Sequence, residues 1–141
     1  MICQNRNIVS RSYYINLAFT LTWMVVIFAF SHQAHSGRIT EEYLGDANIP
    51  VRKLAHMTEF ALLYILTYRT LFEAKVKALQ STKLLSLTSF VLTVAYAALD
   101  EWHQSFVPGR SSQFTDVLVD ATGTLIALAL VWGWLHLRQK K

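Results

Sequence analysis

Four apolar blocks, at 13–30, 54–72, 84–99 and 117–135, take up about half of this 141-residue chain and restrict what it can fold into. Each is 16–19 residues long, close to the ~20 needed for a helix to cross a ~30 Å hydrocarbon core. Core helices of soluble bundles alternate apolar and charged faces. These blocks hold few ionisable residues, mostly near their ends. Apolar residues make up 53% of the chain and charged residues 16%, well under the roughly one quarter charged in soluble domains. That balance excludes disorder. It also excludes a basic nucleic-acid-binding domain, despite a net charge of +4. The expected fold is all-α: an integral membrane four-helix bundle forming one membrane domain over 1–141, with helices at about 13–31, 52–73, 83–104 and 115–136.

Tyr13 and Tyr14 open the first block, and Trp132 and Trp134 close the fourth, as expected of rings that prefer the headgroup level. The first block has features of a signal peptide, with Arg6 and Arg11 ahead of it and Ala29-Phe30-Ser31 at its end. It exceeds the ~7–15 residues of a signal core and reads as a retained helix. Lys and Arg counts set the expected orientation. Nine fall on one side (Arg6, Arg11, Arg69, Lys75, Lys77, Lys83, Arg138, Lys140 and Lys141) against four on the other (Arg38, Arg52, Lys53 and Arg110). Both termini are therefore expected on the cytoplasmic side, with the first and third connections outside. The lone Cys3 is then in a reducing compartment, with no partner for an intrachain disulfide.

The connections are read from their turn residues. The first is a polar loop with Gly37 and Gly45 as turn points and Pro50 at a helix start. The second continues its helix as a basic turn through Lys75 and Lys77. The third is a tight turn at Val107-Pro108-Gly109-Arg110.

The ionisable residues are distributed unevenly. Glu41, Glu42, Asp46, Glu59, Asp100, Glu101, Asp116 and Asp120 all fall on the expected outer side, with His32, His35, His56 and His103; only Glu73 is acidic and inside. Lys53, His56 and Glu59 are spaced to share an arc of about 120° on the second helix. Asp116, Asp120 and Gly123 share about 60° on the fourth. Asp100, His103 and Gln104 share a face at the end of the third, with Glu101 at its edge. Charges inside a bilayer are costly and face a bundle interior or an aqueous cavity. An outward-facing polar pocket between helices two, three and four follows. Simpler roles compete at several positions. Asp116 suits a helix N-terminus after Ser111, Ser112 and Thr115. Glu41, Glu42 and Asp46 suit a solvated loop, and His32 and His35 the headgroup region. Gly123 and Gly133 suit close helix packing.

The motifs Lys53-x-x-His56-x-x-Glu59, Asp100-Glu101-x-His103-Gln104-x-Phe106-x-Pro108-Gly109-Arg110 and Asp116-x-x-x-Asp120-x-x-Gly123 resemble the VanZ-like family of small multi-pass membrane proteins. The central motif carries eight identities in eleven positions, Phe30-Ser31-His32-Gln33 adds a further likeness, and the resemblance spans about 19–135. It implies a four-helix protein of the bacterial envelope, related to one associated with resistance to the glycopeptide teicoplanin. One departure stands out: the family often has Asn at the position of Asp120.

Two functional classes lead, ahead of proton-coupled transport, for which helix one and the interior of helix three offer nothing ionisable. In the first, the pocket binds a lipid headgroup, a lipid-linked cell-wall precursor or an amphiphilic antibiotic. Lys53 and Arg110 would hold phosphate, with Gln104 and Asp116 as further binding residues. In the second, a membrane-embedded hydrolase or transferase acts on outer-leaflet phospholipid or a lipid-linked precursor. His56, Glu59, Glu101, His103 and Asp120 are its candidate catalytic residues. A divalent metal held by imidazole and carboxylate would activate water, or a histidine would act as general base. The spacing matches no established metal-ligand signature.

Overall fold

The computed structural model describes residues 10–34, 36–110 and 113–140, with backbone only at 36–39 and 139. Cys3, Arg6, His35, Ser111, Ser112 and Lys141, and the side chain of Arg38, lie outside the described residues. Among the described residues every regular element is helical: α1 (Arg11–Ser31), α2 (Ser36–Leu44), α3 (Asn48–Glu73), α4 (Thr82–Gln104) and α5 (Phe114–Gln139). Short 3₁₀ turns at Gly45–Ala47 and Lys77–Leu79 complete the connections.

The four long helices are those expected, and α3 is the hub. It packs along α5, α1 and α4, and α5 also packs on α4. By length and composition α1, α4 and α5 are apolar enough to cross a membrane. At 26 residues α3 is long enough, but Arg52, Lys53, His56, Glu59, Arg69 and Glu73 make it too polar to qualify alongside them. Of the four membrane-spanning helices expected, three are apolar enough by this measure and the fourth is the longer, more polar α3. A helix surrounded on three sides by protein meets less lipid than its neighbours, so polar residues on it cost less.

The packing is inverted relative to a soluble bundle. Large apolar side chains such as Phe19, Val25, Val91, Leu118 and Leu130 are exposed, while Thr20, Ser31, Thr70, Ser86, Ser89, Thr93 and Thr124 are buried. Small hydroxyl residues permit close helix approach in lipid, where association depends on packing and polar contacts. Most of their hydroxyls are satisfied locally. Ser89 and Thr93 donate to the carbonyls of Leu85 (2.8 Å) and Ser89 (2.9 Å), and Thr124 to that of Asp120 (3.0 Å). Bonds between helices fix the register. Thr20 and Thr70 hydroxyls meet at 2.9 Å, Trp23 Nε1 donates to the Glu59 carbonyl at 3.0 Å, and Tyr96 donates to the Met24 carbonyl at 2.7 Å. An apolar core of Ile27, Phe60, Leu63 and Ala97 lies between these bonds.

Two connections differ from expectation. The first contains α2, which a polar composition disguised. Gly45, at φ +52°, supplies the turn after it. The second connection does not extend α3. The chain leaves the helix at Ala74 and adopts a left-handed conformation at Lys75 (φ 50°), one that L residues rarely occupy and that ends a helix. The third is the expected turn. Arg110 N donates to the Val107 carbonyl at 3.2 Å, and Gly109 has φ +76°, the type II geometry that Pro-Gly favours.

Candidate functional site

The α3 start, α4 end, Val107–Arg110 turn and α5 start meet at one end of the bundle, the Arg110 end. They enclose a cavity of about 310 Å³. From α3 come Ile49, Arg52, Lys53 and His56; from α4, Glu101 and Gln104; from the turn, Arg110 and Gln113; from α5, Asp116, Val119 and Asp120. One close contact brings α3 and α5 together immediately below. A Cβ on Gly123 would run into the Met57 carbonyl group, so the glycine is required here. Met57 follows His56 and Gly123 lies one turn beyond Asp120, so the same contact aligns His56 and Asp120 on the cavity.

Arg110 is held from its other side. Its Nη2 donates to the Phe30 carbonyl at 2.6 Å, tying the turn to the end of α1. Its buried Nε has no hydrogen-bond partner among the described residues. Burial lowers the guanidinium from its ordinary value and nearby Arg52 adds to the shift, while Asp100, Glu101 and Glu59 oppose it. An arginine remains charged under such pressure. At the rim, Lys53 Nζ lies 3.9 Å from Asp116 Oδ1. This half-exposed pair contributes little to stability and places a lysine beside the opening.

His56 Nδ1 is 3.3 Å from Glu59 Oε2 but outside hydrogen-bond geometry, and among the described residues it has no other hydrogen-bond partner. Asp120 is 1% exposed, and among the described residues its Oδ2 likewise makes no hydrogen bond. Glu59 lines an adjoining recess with Phe30, Gln33, Arg52, His56 and Arg110. Unmet polar atoms are costly when buried.

The candidates from the last turn of α4 separate. Glu101 and Gln104 line the cavity, whereas His103 does not. It turns toward α1, where its Nε2 is 3.1 Å from His32 Nδ1 and its ring lies 4.6 Å from that of Phe28. Asp100 Oδ2 is buried against the end of α1 and accepts from Ser31 Oγ (2.6 Å) and Gln104 Nε2 (2.8 Å). Gln104 Nε2 also reaches Ser31 Oγ at 3.2 Å. Gln104 thus connects the cavity wall to the interior lock. Lys53, His56, Glu101, Gln104, Arg110, Asp116 and Asp120 are together; Glu59 is adjacent and His103 apart.

Sequence reasoning missed Arg52 and Gln113 as cavity residues, and Ser31 as the partner of Asp100. Arg52 precedes His56 by one turn, and that spacing would have found it. Gln113 and Ser31 carried no comparable signal. For a metal the donor set does not fit: among the described residues no group of three His, Cys, Asp or Glu side chains is arranged to hold one.

A family model described as VanZ/LLP1 matches residues 3–136. No curated protein and no solved structure matches the chain. With apolar helices that suit a lipid bilayer and a match over nearly its whole length, this membrane protein belongs to the VanZ/LLP1 family.

Proposed function

We propose that the protein is a multi-pass protein of the bacterial inner membrane with both termini in the cytoplasm. In this reading the Arg110-end cavity faces outward and binds the phosphate-bearing headgroup of an outer-leaflet lipid or lipid-linked cell-wall precursor. The observation that carries it is the convergence of Arg52, Lys53 and Arg110 on one polar cavity at a helix-bundle end. Guanidinium forks recognise phosphate bidentately, and lysine adds a mobile charge. Arg110 is pre-oriented by the Phe30 carbonyl, which reduces the ordering cost of binding. Glu101, Asp116 and Asp120 line the same space and set carboxylates against these cations. They also disfavour a purely anionic ligand and favour one with hydroxyl or ammonium donors near its phosphate. Such recognition is compatible with effects on glycopeptide antibiotics, which act on cell-wall precursors.

The test is photo-crosslinking of the full-length protein in vesicles with a diazirine-bearing lipid-linked precursor. Labelling is expected on peptides from the Arg110 end and is expected to fall at least tenfold in Arg110→Ala and Lys53→Ala. Undiminished labelling in both variants would overturn the reading.

One arrangement favours a second, enzymatic reading. His56 lies beside Glu59 and shares the cavity with Arg110, as a general base beside a phosphate-stabilising cation would. Release of headgroup from phospholipid vesicles, lost in His56→Gln, would support hydrolysis; no release by the wild-type protein would remove it.

A further inference from the structure

At the opposite end of the α3–α5 seam lies a groove that the proposed function does not use. Its volume is about 680 Å³, within the ~300–1,000 Å³ typical of small-molecule sites. Its walls are apolar, from Ile65 and Phe72 on α3 and from Leu130, Val131 and Leu135 on α5. Two arginines line it as well: Arg69, one turn before the end of α3, and Arg138 in the last turn of α5. Arg138 lies over the Trp134 ring, 4.1 Å from its centroid. That contact orients the guanidinium and leaves its N–H edges available for hydrogen bonding. The only acid lining the groove, Glu73, accepts a hydrogen bond from Ser10 Oγ at 3.1 Å through Oε2, so it is engaged toward the start of α1.

An apolar groove ending in two cations has the chemistry of an amphiphile's binding site. The two arginines favour a negative headgroup over a zwitterionic one. Exposed Lys75, Lys77 and Lys83 follow in the adjoining connection and α4 start, which adds to the positive field. Basic sites between helices at a membrane boundary recognise anionic headgroups on these terms. We propose that this groove holds one anionic phospholipid of the adjacent leaflet, with its phosphate against Arg69 and Arg138 and an acyl chain along Ile65, Leu130 and Leu135. The inference needs only that the bundle lies in a bilayer; it does not depend on what the opposite cavity binds.

The experiment is native mass spectrometry of the full-length protein in detergent, titrated with phosphatidylglycerol or phosphatidylcholine of identical chains. It is run in the Arg110→Ala background so that phosphate binding at the other end contributes least. Phosphatidylglycerol is expected to be retained more tightly by on the order of tenfold. Arg69→Gln/Arg138→Gln is expected to abolish that preference, while Arg69→Lys/Arg138→Lys keeps most of it and controls for folding. Val131→Trp, which fills the groove, is expected to weaken retention of both lipids. Equal retention of the two lipids, or a preference unchanged in the glutamine variant, would overturn the proposal. So would wild-type retention in Val131→Trp. Loss of precursor labelling at the Arg110 end would leave these outcomes unaffected, so the two ideas can fail separately.

Discussion

Gly123 and Gly133 lie ten residues apart on α5, yet their surroundings are opposite. A Cβ at Gly123 would be driven into the Met57 backbone, whereas at Gly133 nothing lies within 4 Å. The α3–α5 seam is closed beneath the Arg110-end cavity and open near its other end, where the larger groove begins. Both glycines suited close packing when read from the sequence, and only one serves it. Glycine permits a close approach without causing one. At Gly123 the absent side chain leaves room for the Met57 backbone, and α3 and α5 meet there. At the other end Phe72, Leu130 and Trp134 are exposed and line the groove.

The largest expected effect tests this contrast directly. Gly123→Val should destabilise the bundle by about 3 kcal/mol or more, because the clash is with backbone and cannot be relieved by a rotamer change. Thermal unfolding in detergent would measure it, and a wild-type melting temperature would refute the close contact. Next, Arg110→Ala removes a charge-assisted bond worth roughly 1.5–3 kcal/mol and frees the turn from the end of α1. Protease cleavage within the 105–113 segment should become faster, with α3–α5 packing retained. Unchanged cleavage would mean that the Phe30 contact does not hold the turn.

Ser31→Ala should cost about 1–2 kcal/mol, since a buried carboxylate loses one of its donors while Gln104 remains. The double variant Ser31→Ala/Gln104→Leu should cost more than the sum of the single changes, and simple additivity would show that the two donors act independently. The smallest effect belongs to the open end. Gly133→Ala should stabilise α5 by roughly 0.5–1 kcal/mol, because it removes backbone entropy without meeting another atom. A loss of stability there would show that the helices approach more closely at this end than the structure has them.

Much of the architecture was legible because its causes are local or compositional. Long apolar blocks lead to membrane helices because any other placement exposes them to water. Pro108-Gly109 leads to a type II turn because each residue restricts its own φ. The candidate site was legible in part. Spacing at about 100° per residue showed which side chains share a face, which grouped Lys53 with His56 and Asp116 with Asp120. It could not show which neighbour each face meets. His103 shares an arc with Asp100 and Gln104, yet it turns to His32 while they meet Ser31. Helix α2 was missed because its nine residues are too few for a strong periodic signal.

By itself, the sequence determined an all-helical membrane protein, because hydropathy and backbone hydrogen-bond satisfaction in lipid leave few alternatives. It also marked the end where polar chemistry gathers, since charges are admitted into a bundle only where partners or water receive them. Tertiary structure decided which residues form the cavity, which glycine is indispensable, and where the second groove opens. Those outcomes depend on the rotation and separation of packed helices, and these follow from all the contacts between them together.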